Sequence, residues 1–302
     1  MTVVRRIAVS GAAGLVGTAL RSRLQGEGWR WLRLVRRPAR AAHEIAYDPA
    51  AGSIDADRLA GIDAVVHLAG ESIAGGRWTP ARKQRILSSR VDGTRLIAGT
   101  LAGLDKPPRT LISASAIGYY GGRGGEPLDE GAAAGTGFLP DLCTAWEAAT
   151  GMAERAGVRV VRLRIGIVLA QADGALAKML PVFRLGLGGR LGSGAQYMSW
   201  VSLTDLVSII RFLLDAPQLA GPVNAVAPGA VTNAEYTRTL GKVLGRPAVL
   251  PAPACALRLA LGEMADALLL EGVRVVPTAL SRAGFRFKHP DLATALRAEL
   301  GL

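Results

Sequence analysis

Short β-branched runs alternate with longer amphipathic stretches along the first two thirds of the chain, the pattern of a parallel sheet covered by helices. Apolar runs predict strands over residues 6–11 (RIAVSG), 30–36 (RWLRLVR), 63–70 (DAVVHLAG), 110–116 (TLISASA) and 158–169 (VRVVRLRIGIVL). Helical periodicity fills 15–27, roughly 79–103 and 139–156. The order predicts an α/β fold, a Rossmann-type doubly wound parallel sheet. From about residue 170 the rhythm changes to Gly-rich loops, a strand at 198–203, a helix at 204–216 and a strand at 221–227. Helical segments near 233–244 and 253–270 precede a tail punctuated by Pro and Gly. The expected division is a dinucleotide-binding domain at 1–169, completed by about 200–228, and a smaller α/β substrate or lid domain from 170–199 and 229–302.

Composition narrows the class. Half of the 302 residues are hydrophobic. Every long apolar run is cut by Gly, Pro or a charge before it reaches the ~20 residues of a membrane span, so a soluble protein with no membrane partner is expected. The start, MTVVRRIAVSGAAG, leads into a glycine turn and predicts a first strand, not a targeting segment. Two cysteines, Cys143 and Cys255, are far apart and suggest neither a disulfide framework nor a metal site, which fits the cytoplasm. A net charge of +12 permits nucleic-acid binding. The arginines are spread along the chain, however, and the densest basic stretches carry no stacking aromatics, so a small-molecule substrate is expected instead.

The first candidate chemistry is the stretch SGAAGLVG, which places Gly11, Gly14 and Gly17 between the first strand and the first helix. Gly11 allows a tight turn, Gly14 lets backbone N–H groups approach a pyrophosphate, and Gly17 lets the helix pack closely. An acid at the end of the second strand would bind a ribose diol. Here that strand ends in Arg36 and Arg37, with Glu27 and Glu44 outside it, so two guanidiniums suited to a 2′-phosphate predict NADP(H) in preference to NAD(H).

With SGAAGLVG, VVHLAGESI, RVDGT and ISASAIGYYG in order, the chain resembles the extended short-chain dehydrogenase/reductases. The further stretches LCTAWEAAT, LGSGAQYMSWVSLTDLV and LGEMADALLLEGVRVVP are similar to an atypical, epimerase-like branch of that superfamily. The resemblance implies that Ala13, Leu15 and Val16 in the turn, Leu68, Ala69, Gly70, Arg90, Ser113, Gly166 and Ile167 join the cofactor lining. It places Ser115 at the serine that hydrogen-bonds the reacting oxygen. Arg90 stands where the superfamily keeps an asparagine, and its Tyr-x-x-x-Lys pair falls on Leu139 and Cys143. Shifting the register by four puts Cys143 and Glu147 there, which restores neither group. Without the tyrosine's proton and the lysine that tunes it, three activities stay open: a slow or rearranged oxidoreductase, an epimerase or dehydratase that uses the cofactor transiently, and a non-catalytic NADPH-binding sensor.

Tyr119, Tyr120 and Glu71 are candidates for a relocated acid or base, or else are packing and loop-capping residues. Cys143 is a small buried hydrophobe or a reactive thiol. His67 lies inside an apolar strand and is expected in the core, whereas His43 and His289 are isolated. Lys178, Gln196, Met198 and Trp200 are expected to line the substrate, and Asp205 to cap the helix it opens. The C-terminal tail is expected to complete the lid or a dimer contact.

Overall fold

The computed structural model describes residues 5–302; Met1–Val4, which open the stretch assigned above to a first strand, lie outside the described residues. The order is β1 (Arg5–Ser10), α1 (Leu15–Leu24), β2 (Trp29–Val35), β3 (Glu44–Asp48), β4 (Ser53–Ile54), β5 (Ala64–His67), α2 (Pro80–Ala102) and β6 (Thr110–Ala116). Next come β7 (Gly124–Leu128), α3 (Phe138–Ala148), α4 (Gly151–Arg155), β8 (Arg159–Ile165), β9 (Ile167–Leu169) and α5 (Gly174–Arg184). The chain continues through β10 (Tyr197–Met198), β11 (Trp200–Ser202), α6 (Leu203–Leu214), β12 (Gly221–Ala225), β13 (Val231–Thr232), α7 (Asn233–Leu244) and α8 (Ala254–Leu261). It closes with α9 (Glu263–Ala265), β14 (Val273–Val275), α10 (Thr278–Arg282) and α11 (Leu292–Leu300).

Eight strands form one sheet in the order β12-β8-β6-β5-β1-β2-β3-β4, parallel except for β4. Alternation sends successive side chains to opposite faces, and here both faces are buried. Ile7, Val9, Val66, Ile112 and Val161 pack under α1 and α6. Their neighbours Ala8, Val65, Leu111 and Val160 pack under α2 and α4. A third core joins Leu176, Leu180 and Phe183 of α5 to Trp200, Tyr236, Leu240 and α11. Among the described residues no helix is long and apolar enough to cross a membrane.

Several boundaries differ from expectation, each for a local reason. The run 158–169 is two strands, because Gly166 ends β8 and β9 pairs with β11 in a separate ladder. A side chain at Gly166 would stand 2.7 Å from the Ser199 carbonyl oxygen, so the chain turns where only glycine fits. The predicted helix at 253–270 breaks at Gly262, whose φ of +62° ends α8. The helix at 139–156 breaks near Thr150, whose hydroxyl donates to the Glu147 carbonyl. Strands β3 and β4 continue the sheet beyond β2, and β7 pairs with β14 of the tail.

Candidate active site

The turn after β1 is a backbone structure. Gly11 has φ +67°, and a Cβ there would lie 2.9 Å from the Leu68 carbonyl carbon. A Cβ on Gly17 would stand 2.7 Å from the Ala12 Cα and closer still to the Gly11 carbonyl oxygen, so α1 packs on the turn only through glycine. Exposed Gly14 is the N-cap of α1 and supplies no side-chain cap, so the amides of Ala13, Leu15 and Val16 surround an uncapped helix N-terminus. Ser10 ties this turn to the next strand: its Oγ accepts from the Leu68 and Ala69 amides (3.1 and 3.3 Å) and lies 2.6 Å from His67 Nδ1. His67 is fully buried in the core, as expected, and burial lowers its pKa to about 4. Glycine cradle and open N–H groups fit a dinucleotide pyrophosphate.

At the end of β2, one of the two arginines is already paired. Arg37 does not stand free: it grips Glu44 through two hydrogen bonds of 2.9 and 2.7 Å. β3 brings Glu44 opposite Arg33, and the Arg40 amide also donates to its carboxylate. The Arg37 hydrogen bonds, followed by that amide, lower the Glu44 pKa to about 2. Arg36 is exposed and stays outside this cluster, so of the two exposed guanidiniums Arg37 is paired with a carboxylate and Arg36 is not.

At the carboxyl end of β6, Ser115 is 2% exposed and donates to Glu147 Oε1 at 2.7 Å. Arg164 of β8 grips the same carboxylate, with Nε to Oε1 at 2.8 Å and Nη2 to Oε2 at 2.9 Å. Burial alone would favour loss of the Arg164 proton, but the hydrogen bonds to Glu147 raise its pKa above the usual arginine value. The Tyr119 ring covers the Arg164 guanidinium at 3.5 Å. Tyr120 is fully buried, donates to Asn224 Oδ1 at 2.7 Å and accepts from Arg164 at 3.0 Å. Tyr120 is therefore held as a buttress between Arg164 and Asn224. Cys143 and Glu147, one turn apart on α3, both face Ser115, which is the register shifted by four. Burial, followed by the Glu147 charge, pushes the Cys143 thiol up to about 12, which favours the small-hydrophobe reading over a reactive thiol. Arg90 lies between Gly70 and Trp146, 5.1 Å from the Trp146 ring centroid, and burial lowers its pKa.

Comparison with known proteins agrees with this architecture. The model of the NAD dependent epimerase/dehydratase family matches residues 7–226, and a domain of unknown function, DUF1731, matches 252–299. The chain belongs to the NAD dependent epimerase/dehydratase family. Epimerase family protein Mb2239 of Mycobacterium bovis is 46% identical over 96% of both chains. The crystal structure of human epimerase family protein SDR39U1 with NADPH has a TM-score of 0.90 and 34% identity, over 98% of this chain and 100% of that one. A nucleoside-diphosphate sugar epimerase from Corynebacterium glutamicum has a TM-score of 0.80 and 35% identity, over 98% of this chain and 58% of its own. The resemblance to an epimerase-like branch of the short-chain superfamily is borne out.

Within this family member, several predicted residues have other tasks. Glu71 faces Arg82 and Arg85 at 3.6 and 3.7 Å, and its amide donates to Ser89, so it fastens a loop to α2. Trp200 is fully buried and donates to the Gly229 carbonyl at 2.8 Å; it is core, not lining. Gln196 donates to the Leu191 and Leu269 carbonyls, and Met198 Sδ accepts from Asn233, so both hold loops together. Lys178 is exposed and donates to the Ala74 carbonyl at 3.3 Å, bridging α5 to the loop after β5. Ser113 is buried beside His67 in register, and Ile167 donates to the Ser199 carbonyl. Asp205 is structural, as expected, but it is not the cap: Ser202 caps α6, its Oγ accepting from the Asp205 amide, while the Asp205 carboxylate accepts from the Ser202 hydroxyl and from the Lys288 and His289 amides and docks the tail. His289 is accordingly not isolated.

Glu147, Arg164, Asn224 and Glu130 were missed as a unit. Glu130 accepts from the Asn224 and Ala279 amides, linking β12 to the tail. One signal was available: a charge inside a strand buried on both faces, such as Arg164, requires a partner.

Proposed function

We propose that this protein is an NADP(H)-dependent oxidoreductase acting on a carbonyl or carbinol of a small molecule, with NADP(H) preferred over NAD(H). The end of β2 carries the cofactor choice. Its nearby carboxylate, Glu44, is engaged by Arg37 and so is poorly placed to bind a ribose diol, while Arg36 is free to meet a 2′-phosphate. The human relative crystallised with NADPH supports the same choice. The Gly11–Gly17 turn would hold the pyrophosphate, and the bound cofactor would supply or accept a hydride at the substrate carbon. Ser115 would meet the reacting oxygen. Because its hydroxyl proton is directed to Glu147, its remaining lone pairs suit accepting a hydrogen bond from a substrate hydroxyl. Arg164 holds the carboxylate and thereby fixes that polarity. Both cysteines are unpaired, which suits the cytoplasm.

A second reading, NADPH binding without turnover, is favoured by one observation: Tyr120 and Glu71, two of the candidate proton donors, are engaged by Arg164 and Asn224 and by Arg82 and Arg85. The two are separated by following NADPH fluorescence during a screen of aldehydes, ketones and quinones, with wild type and Ser115→Ala. The oxidoreductase reading expects turnover that falls by about 10²–10⁴ in the variant. NADPH binding without turnover across the screen would favour the second reading.

A further inference from the structure

The face of the molecule built by α5, α7 and the segment after α7 has an unusual composition. Residues 174–200 and 236–262 contain seven Lys and Arg and no Asp or Glu. The fold brings these two stretches side by side: the Leu250 amide donates to the Gly188 carbonyl at 3.1 Å, the Ala252 amide to Arg190 at 2.9 Å, and Leu191 bridges Ala252 in parallel. Pro247 lies against Gly186. The juxtaposition gathers Val182, Leu185, Leu187, Val249 and Leu250, each between 47% and 75% exposed. Exposed Arg184, Arg238, Lys242 and Arg246 surround them. The chain then enters α8, an Ala- and Leu-rich helix that has no buried residue and exposes Leu259.

Large aliphatic side chains gathered on a surface mark an interaction site, and the rim of this one decides what it meets. A predominantly basic ring around an aliphatic centre, with the acids Asp173 and Glu235 confined to the starts of α5 and α7, is complementary to a surface that is anionic outside and hydrocarbon within. A second copy of this chain would bring like charges together across a two-fold axis. A nucleic acid would need stacking groups, but the nearby aromatics, Phe183 and Tyr236, are buried. We propose that this face docks on an anionic lipid bilayer, with Leu185, Leu187, Val249 and Leu250 entering the interface and the surrounding Arg and Lys meeting the headgroups. This is peripheral contact and requires no spanning segment. It departs from the sequence-based expectation of no membrane partner, which rested on the lengths of the apolar runs.

The test is sedimentation of the full chain with vesicles of phosphatidylcholine containing about 30% phosphatidylglycerol, and with phosphatidylcholine alone, at about 0.1 M salt. Binding is expected on the anionic vesicles and should weaken steeply as salt rises. Leu185→Asp with Val249→Asp, and separately Arg184→Glu with Arg246→Glu, should each lower partitioning about tenfold or more while leaving thermal unfolding unchanged. Arg21→Glu with Arg30→Glu makes the same charge change on α1 and β2 and should lower it no more than about twofold. No binding by wild type overturns the proposal, as does equal binding to both vesicles. Equal loss in the α1 and β2 variant would reduce the effect to net charge. A dimer in sedimentation velocity that Leu185→Asp with Val249→Asp dissolves would assign the face to a second copy instead.

Discussion

The turn after β1 and the cluster around Ser115 lie at carboxyl ends of strands in the same sheet, but they are made of different material. The turn is backbone: Gly11 and Gly17 remove side chains that would collide with Leu68, Ala12 and the turn's own carbonyl, leaving amides to do the binding. The cluster is side chain, drawn from β6 (Ser115), α3 (Glu147), β8 (Arg164) and β12 (Asn224). A backbone site tolerates only glycine at a few positions and is otherwise indifferent to sequence. A buried charge cluster tolerates rearrangement only if every member keeps a partner. Ser115 thus has a glutamate and an arginine beside it, in a sheet of the expected kind.

The contrast can be broken most forcefully at Arg164. Arg164→Met should cost about 3–5 kcal/mol in urea unfolding, because Glu147 is left charged and buried, and adding Glu147→Gln should return a large part of it. If the double variant loses as much as the two single ones together, the pair does not act as a unit. The next effect tests the support of the turn. His67 has a folded pKa near 4, below its unfolded value of about 6.5, so its stabilising contribution is complete above pH 6.5 and is lost as pH falls towards 4. That loss should be on the order of 3 kcal/mol and should be flattened in His67→Gln, as read by denaturation at a series of pH values. Gly17→Ala should cost about 1–3 kcal/mol by overpacking, whereas Gly14→Ala, whose Cβ would lie 3.3 Å from the Gly11 carbonyl oxygen, should cost less than about 1 kcal/mol. Similar melting losses for the two would place the constraint in the chain's flexibility and not in helix approach. Smallest of all, Glu71→Gln should change stability by about 0–1 kcal/mol and leave NADPH affinity unchanged. A tenfold fall in turnover would return Glu71 to the reaction.

Legibility in the sequence followed the same division. Gly11 and Gly17 were readable because strand, turn and helix are contiguous, and the strands of the sheet were readable because burial on both faces leaves continuous apolar runs. Asp205 was readable as a structural group at a helix start, although its contact with residues 288 and 289 was not. Glu147 and Arg164 are 17 positions apart and meet only because α3 folds back over β8. Nothing local distinguishes Arg164 from Arg162, whose partner is Glu154. Trp200 and Gln196 misled for a related reason: a Gly-rich loop composition resembles a lid, while the packing of α5, α7 and α11 makes it a core. The pairing of Arg37 with Glu44 was not legible because β3, which carries Glu44, has a weak strand signal.

The most direct measurement is a fluorescence titration of NADPH and NADH against wild type and Arg36→Asp. With one free guanidinium at the end of β2, wild type should bind NADPH at least tenfold more tightly than NADH, a margin of about 1.4 kcal/mol, and Arg36→Asp should erase or invert it. Equal weakening of both cofactors by Arg36→Asp, or a wild type that prefers NADH, would contradict the assignment of NADP(H).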